Sequence, residues 1–379
     1  MRGIVRELAD LQVGSKVILF GITFEQLASV ICVLVLVPSI YLWYHNIHRG
    51  RSIALATSGC TRLGLTGKSN NADEFDAKYD SGTKDQQKWR IKTIYIHPIK
   101  SCAPIELSVA DVDAEGLTYD RKFAIAELLK PTITKPGEST EPKWTFRTLR
   151  QPGYERLALV RPEIWVSRRA NADATGRKLD QDGVLVVRYP IEPTGIFGTL
   201  DRFMMSWGLI PKENAFHIPL NVRKGHKYPK EVVNIWKDDM TWINLGEHVP
   251  EDFKQWLRVK NPLSLFQEDP EHRRELYRCA PKKEDIGFQP AVRFQDAYPV
   301  QMLNLASVHD VGNKIKGTID GLSVRRFRGN FIIEGPPMYD EDDWKRIKIG
   351  GHELYCSCHT LRCRVISDFP PAAIRTDCL

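Results

Sequence analysis

Cys363 directly follows Arg362, and Arg325, Arg326 and Arg328 lie upstream with Asn330 close behind them. A lone cysteine is most often a small buried hydrophobe. Arginines change what it can do, because positive charge favours the thiolate, the form that ligates a metal. A thiolate is a soft donor suited to a transition metal, and guanidinium grips phosphate-like anions through paired hydrogen bonds. Lys100 and Ser101 end an alternating apolar stretch, where a loop presents an ammonium, a hydroxyl and backbone N–H groups to a phosphate. Arg121 comes just after a turn marked by Gly116. For each of these cations the ordinary reading is a solvated surface charge. Cys356, Cys358, Cys363 and His359 offer a zinc site as a second reading, but C-x-C-x4-C is not a usual zinc-ribbon spacing and no C-x2-C pair lies elsewhere. The chain has no H-E-x-x-H, Walker loop or G-x-S-x-G elbow, so hydrolase and nucleotidase readings lack support.

Six blocks in order carry a family resemblance. They are His97-Pro98-Ile99-Lys100-Ser101-Cys102, Gly116-Leu117-Thr118-Tyr119-Asp120-Arg121, Phe294-Gln295-Asp296-Ala297-Tyr298-Pro299, Asn304-Leu305-Ala306-Ser307, Asp343-Trp344 with Ile349-Gly350, and the arginine run leading to Leu361-Arg362-Cys363. Together they resemble the MOSC superfamily, and specifically the mitochondrial amidoxime-reducing component and its fungal and bacterial relatives. Gly329 stands where a proline is common in animal relatives and reads as a loop variation.

The resemblance implies a mainly β fold with some α: an N-terminal MOSC β-barrel-like domain, then a MOSC β-barrel core. It implies that Cys363 is the catalytic protein ligand to molybdenum. Lys100, Ser101, Arg121, Arg328, Asn330 and Arg362 would hold the pterin and phosphate of the molybdenum cofactor. Asp296 to Pro299 would line the same pocket, with Tyr298 contributing mainly backbone. The implied activity is two-electron reduction of N-hydroxylated compounds such as amidoximes and hydroxylamines, with electrons from cytochrome b5 and NADH-cytochrome b5 reductase. The cofactor carries the redox chemistry and the protein supplies binding and orientation. Two alternatives stay open: an inactive truncated MOSC paralogue, and a molybdenum-cofactor binding or carrier protein at a membrane. The resemblance points away from a full cofactor sulfurase, in which a large pyridoxal-phosphate domain precedes a MOSC module. Beyond about Val365 the chain departs from the family pattern, and an incomplete core is expected there.

Other segments must position these residues. Ile91–His97, Leu107–Asp113, Phe123–Leu128 and Gly183–Tyr189 read as strands, on a spacing that favours a barrel or sandwich. Glu251–Val259 and Leu305–Ile315 read as helices, the second with Asn304 as its N-cap. Arg346–Tyr355 reads as a hairpin turning at Gly350-Gly351, with positive φ expected at both. Pro131–Lys143 reads as an inserted loop, and residues 268–290 as a charged stretch separating two parts of the module. The domain reading is 1–48 tail and membrane anchor, 49–89 flexible linker, 90–290 N-terminal MOSC domain and 291–379 MOSC core.

The anchor rests on Leu27–Tyr44, which holds no charge and ends in Tyr41, Trp43 and Tyr44, as an interfacial aromatic belt would. It predicts a transmembrane helix, and the resemblance implies the mitochondrial outer membrane with the catalytic part in the cytosol. A length of 379 residues allows about two domains. The net charge of +7 is spread along the chain, which argues against nucleic-acid binding. Eight cysteines in a chain this long do not form a disulfide scaffold and read as reduced thiols.

Overall fold

The computed structural model describes residues 24–43, 49–130, 141–167, 183–193, 198–222, 227–236 and 238–360. In chain order its strands begin with β1 (Cys60–Arg62), β2 (Arg90–Ile96), β3 (Ile105–Leu107), β4 (Val112–Asp113) and β5 (Gly116–Leu117). Next come β6 (Phe123–Leu129), β7 (Lys143–Phe146), β8 (Arg161–Ser167), β9 (Gly183–Pro190) and β10 (Glu213–Pro219). They continue with β11 (Lys230–Ile235), β12 (Asp238–Asn244), β13 (Leu263–Gln267), β14 (Arg274–Glu275) and β15 (Ala291–Val292). The last are β16 (Met302–Asn304), β17 (Phe331–Glu334), β18 (Arg346–Ile349) and β19 (His352–Tyr355). The main helices are α1 (Phe24–Trp43), α2 (Arg49–Ala56), α3 (Gly198–Ser206), α4 (Glu251–Trp256) and α5 (Leu305–Lys314). The mainly β reading holds. The chain divides into one small unit, Met1–Leu55 with Pro193–Lys212, and one large unit, Ala56–Glu192 with Glu213–Leu379.

Within the large unit, β11, β12, β13, β6 and β7 close into a barrel, sealed by a parallel pairing of β11 with β7. Its interior is filled by side chains, as small barrels require. Trp242, Phe266, Phe294 and Phe146 supply the bulk, and Ala124 and Ala126 of β6 leave them room. The other face of β6, Phe123 and Ile125, packs into the main core with β8, β9 and β10. Burial on both faces explains why β6 opens as a continuous apolar run, Phe123–Ala126, before Glu127. α4 delivers Phe253 and Trp256 against Tyr189 of β9, with ring centroids 4.9 and 5.3 Å apart.

The sheet that carries the site is ordered β16-β17-β2-β3. It takes two strands from residues near 100 and two from residues beyond 300, so the expected boundary at 290 does not divide it. α5 covers one face through Leu305 and Val308, which pack with Tyr95, Val324, Phe327 and Ile332. The Asn304 side chain caps α5 by accepting from the Ala306 N–H at 3.2 Å, as expected.

Three expectations need correction. Residues 60–89 are not a loose tether: β1 pairs with β8, Tyr79 is buried in the α5 core, and the Asn71 side chain donates to the Tyr95 hydroxyl at 3.2 Å. Polar composition hid this, because the segment docks through hydrogen bonds and one aromatic ring rather than a periodic apolar face. At the hairpin turn only Gly350 has positive φ, at 58°. For the membrane span, α1 does cover most of Leu27–Tyr44, but among the described residues no helix is long and apolar enough to cross a membrane. Within α1, Ser29 and Pro38-Ser39 bound its unbroken apolar stretch, Val30–Val37. The expected loop over Pro131–Lys143 lies outside the described residues except at its end, where Lys143 begins β7.

Candidate functional site: a buried cation pocket

Three backbone turns converge at the end of β2. The first runs from His97 to Cys102, where Phe123 N–H donates to Pro98 O at 2.9 Å and Lys100 N–H donates to Phe123 O at 2.8 Å. The second brings Arg121 N–H onto His97 O at 2.8 Å. The third is the 3-10 turn Val324–Phe327, which ends at Arg328. Ser101, Arg121 and Arg328 all take left-handed backbone conformations, with φ of 70°, 47° and 57°. Such geometry costs about 1–3 kcal/mol per non-glycine residue and persists where the surroundings enforce it, often at ligand sites.

These turns set two linked groups of side chains, Arg121 with Asn330 and the Arg328 carbonyl, and Lys100 with Asp296. Arg121 donates to both carboxylate oxygens of Asp120 at 2.8 and 2.6 Å, to Asn330 Oδ1 at 3.2 Å and to Arg328 O at 2.8 Å. Asp120 is fully buried and also accepts from His97 N–H at 2.7 Å. Asn330 is locked by donating to Tyr95 O at 3.0 Å and accepting from Gln301 N–H at 3.1 Å. Arg328 donates through one terminal nitrogen to Cys102 O at 2.8 Å. Lys100 donates to Phe294 O at 2.7 Å and to Asp296 at 2.6 Å, and Arg150 approaches the same Asp296 at 3.3 Å. The Arg150 guanidinium rests over the Trp236 ring, 4.8 Å from its centroid.

The electrostatics are those of a buried cation cluster short of negative charge. Burial pulls Arg328 down to about 10, and the charge of Arg121 pushes the same way. Burial pulls Lys100 down to about 8, against the attraction of Asp296. Burial, then Arg121, Arg328 and Arg325, hold His97 well below its ordinary value, so the ring is neutral. Burial raises Asp296, but the Lys100 ammonium and Arg150 outweigh it and keep the carboxylate ionised. Among the described residues, Arg328 Nη1 and His97 Nδ1 are buried without a hydrogen-bond partner. Buried polar atoms are normally satisfied, so an orphaned guanidinium nitrogen beside a second arginine fits an anionic group. The donor set therefore suits a phosphate-bearing cofactor.

Arg121, Arg328 and Asn330 thus meet directly, and Lys100 and Ser101 stand on the neighbouring turn, where the Ser101 hydroxyl accepts from the Leu149 N–H at 3.3 Å. Tyr298 does not join them: its hydroxyl donates to Arg278 O at 3.2 Å. Arg362 and Cys363 lie outside the described residues, as does the rest of the tail from 361. His97, Asp120 and Arg150 join the site without having been singled out. The first two stand inside quoted sequence blocks, so position beside a named residue was their signal. Arg150 had none, since only the β6–β7 pairing and the turn after it bring it near Asp296. A groove of about 1060 Å³ is lined by Gln301 and Phe327, which adjoin Asn330 and Arg328, and by Tyr298, Leu303, Cys358 and Thr360, the last described residue.

Comparison with known proteins gives two domain matches. Residues 88–194 match the MOSC N-terminal beta barrel domain, and residues 289–371 match the MOSC domain. The chain carries both MOSC modules. The second match runs through Cys363. Among curated proteins, similarity is to molybdenum cofactor sulfurase 3 of Aedes aegypti, at 24% identity over 75% of this chain and 30% of that protein. Molybdenum cofactor sulfurase of Aspergillus fumigatus is 22% identical over 76% of this chain and 34% of its own length. That of Danio rerio is 21% identical over 78% and 30%. The chain spans about a third of the length of these relatives. They are sulfurases, so the finer likeness to the amidoxime-reducing component is not established by them, while a molybdenum-cofactor-related role is supported.

Proposed function

We propose that this protein binds the molybdenum cofactor in the Lys100–Arg121–Arg328 pocket and uses it to reduce N-hydroxylated substrates. The observation that carries the reading is the buried, unpartnered Nη1 of Arg328 beside Arg121. Arg328 and Arg121 bind the cofactor's anionic phosphate, with Ser101 N–H and the Lys100 ammonium at the same turn. Asn330 and Asp120 hold the Arg121 fork in place. Asp296 keeps the Lys100 ammonium charged until the anion arrives. Neutral His97 adds a ring nitrogen without adding charge. Cys363 is the protein ligand in this reading. Bound there, the molybdenum cofactor supplies two-electron redox chemistry, with reducing equivalents from cytochrome b5 and NADH-cytochrome b5 reductase. Attachment to a membrane, with the mitochondrial outer membrane as the proposed site, draws its support from the exposed apolar side chains of α1, among them Val33, Leu34, Leu36 and Ile40.

A second reading is a cofactor-binding or carrier protein without reductase activity; the relatives are named for the molybdenum cofactor and not for reduction of N-hydroxylated compounds. Benzamidoxime reduction by the purified full chain, driven by cytochrome b5 and its reductase, separates the two. The first reading predicts turnover that is lost in Cys363→Ser and kept in Cys356→Ser. Bound cofactor with no turnover would leave the carrier.

A further inference from the structure

α3 turns an apolar stripe outward. Leu200, Phe203 and Trp207 recur at i, i+3 and i+7, the spacing of one helix face. Trp207, the first residue past the helix, keeps its helical bond by donating to Phe203 O at 3.2 Å. All three side chains are exposed, Trp207 at 71% and Phe203 at 55%, while Met204 and Met205 are buried. The Phe203 and Trp207 rings lie 5.6 Å apart between centroids. The chain then turns at Gly208, with φ of 70°, and the next residue, Leu209, is exposed as well. Single exposed apolar side chains are ordinary, but four in so short a segment mark a contact surface. α3 lies outside both regions that match the MOSC modules, so neither module accounts for it.

What covers the stripe follows from its surroundings. α3 belongs to the same compact unit as α1, which exposes Val33, Leu34, Leu36 and Ile40. Among the described residues no helix is long and apolar enough to cross a membrane. Apolar helices of this kind meet lipid by lying along the interface, with Trp, Phe and Leu turned toward the acyl chains. The sequence of this unit also carries more lysine and arginine than aspartate and glutamate, and Arg51, Arg202 and Lys212 are exposed. Such charges favour anionic headgroups.

We propose that the Leu200–Phe203–Trp207 face of α3 is a lipid-binding surface that lies in the interface of a membrane containing anionic lipid. It rests on the membrane attachment proposed above and gives that attachment a second contact, separate from α1.

The test is binding of the purified full chain to vesicles of phosphatidylcholine and phosphatidylserine, with brominated phosphatidylcholine as a quencher of tryptophan emission. The wild type should sediment with the vesicles and lose emission, and should bind less to phosphatidylcholine alone. Trp207→Phe should stay bound and lose part of the quenching. Leu200→Ser combined with Phe203→Ser should weaken binding about tenfold, since two large apolar side chains no longer leave water. All three positions are exposed, so the variants keep the fold, and circular dichroism checks this. Equal quenching in the wild type and Trp207→Phe, or undiminished binding of the double variant, would overturn the proposal while leaving attachment through α1. A wild type that stays off the vesicles would overturn it together with the membrane reading.

Discussion

Arg328 decides most at the scale of single residues. A buried charge short of counter-charge carries a desolvation cost that an apolar side chain of similar size does not. Arg328→Met should therefore leave the melting temperature of cofactor-free protein unchanged or higher, while abolishing the rise that bound cofactor gives to the wild type. Thermal melts with and without cofactor check this. A large loss of stability in the cofactor-free variant would mean that the Cys102 carbonyl contact, not an anion, is what Arg328 serves. Lys100 gives a pH signature. Its free-site value of about 8 lies below that of an ordinary lysine, so the unfolded chain holds the proton through a range in which the folded site has released it. The cost of its buried charge is full below about pH 8 and is relieved as pH rises toward the ordinary lysine value. An anion that needs the ammonium must accordingly bind more weakly as pH climbs through 8, and Lys100→Arg should remove that fall. Titrations of cofactor affinity from neutral to alkaline pH read the difference; identical curves for the two proteins would exclude Lys100 as an anion contact. The types Lys, Arg and Asn were legible in the sequence because the blocks name them. The neutrality of His97 and the reach of Arg150 were not, since both arise from burial and from turns that no local pattern encodes.

At the scale of elements, strands were the readable part. β2, β6 and β9 appear within a residue or so of where apolar runs placed them, because their period or continuity is set by which faces they bury. Leu107–Asp113 was misread as one strand; it is the end of β3 and, after a break, β4. The segment from 60 to 89 was misread more deeply, and one glycine tests the correction. A Cβ on Gly82 would collide with the backbone of Pro336 and Pro337. Gly82→Ala should cost on the order of 1–3 kcal/mol, as steric conflicts in packed regions do. A silent substitution in urea denaturation would restore the loose-tether reading. Asn304 caps α5 and also donates to Pro337 O at 2.8 Å and to Glu341 at 2.9 Å. Losing a cap and leaving buried acceptors unpaired should make Asn304→Ala cost about 2–3 kcal/mol. Asn304→Ser, which keeps only the cap, should fall between wild type and Asn304→Ala; a loss equal to that of Asn304→Ala would show that the cap contributes little, and no loss would show that the bonds to the 336–341 segment do.

For the whole molecule, the two parts of the module are interleaved. β2 and β3 come from the N-terminal part, yet they complete the sheet of β16 and β17, and that joining is what sets the arginine of the 328 turn beside the lysine of the 100 turn. Sequence order could suggest two successive domains but not a shared sheet, because strand pairing across more than two hundred residues leaves no local trace. The central claim is that this joined pocket holds a molybdenum cofactor. It is tested most directly by expressing the full chain in a host that makes the cofactor and measuring molybdenum and pterin per chain, beside Arg328→Met purified in the same way. The account predicts equimolar molybdenum and pterin in the wild type and neither in a folded Arg328→Met. A folded wild type that carries no pterin, or a variant that retains it in full, would contradict it.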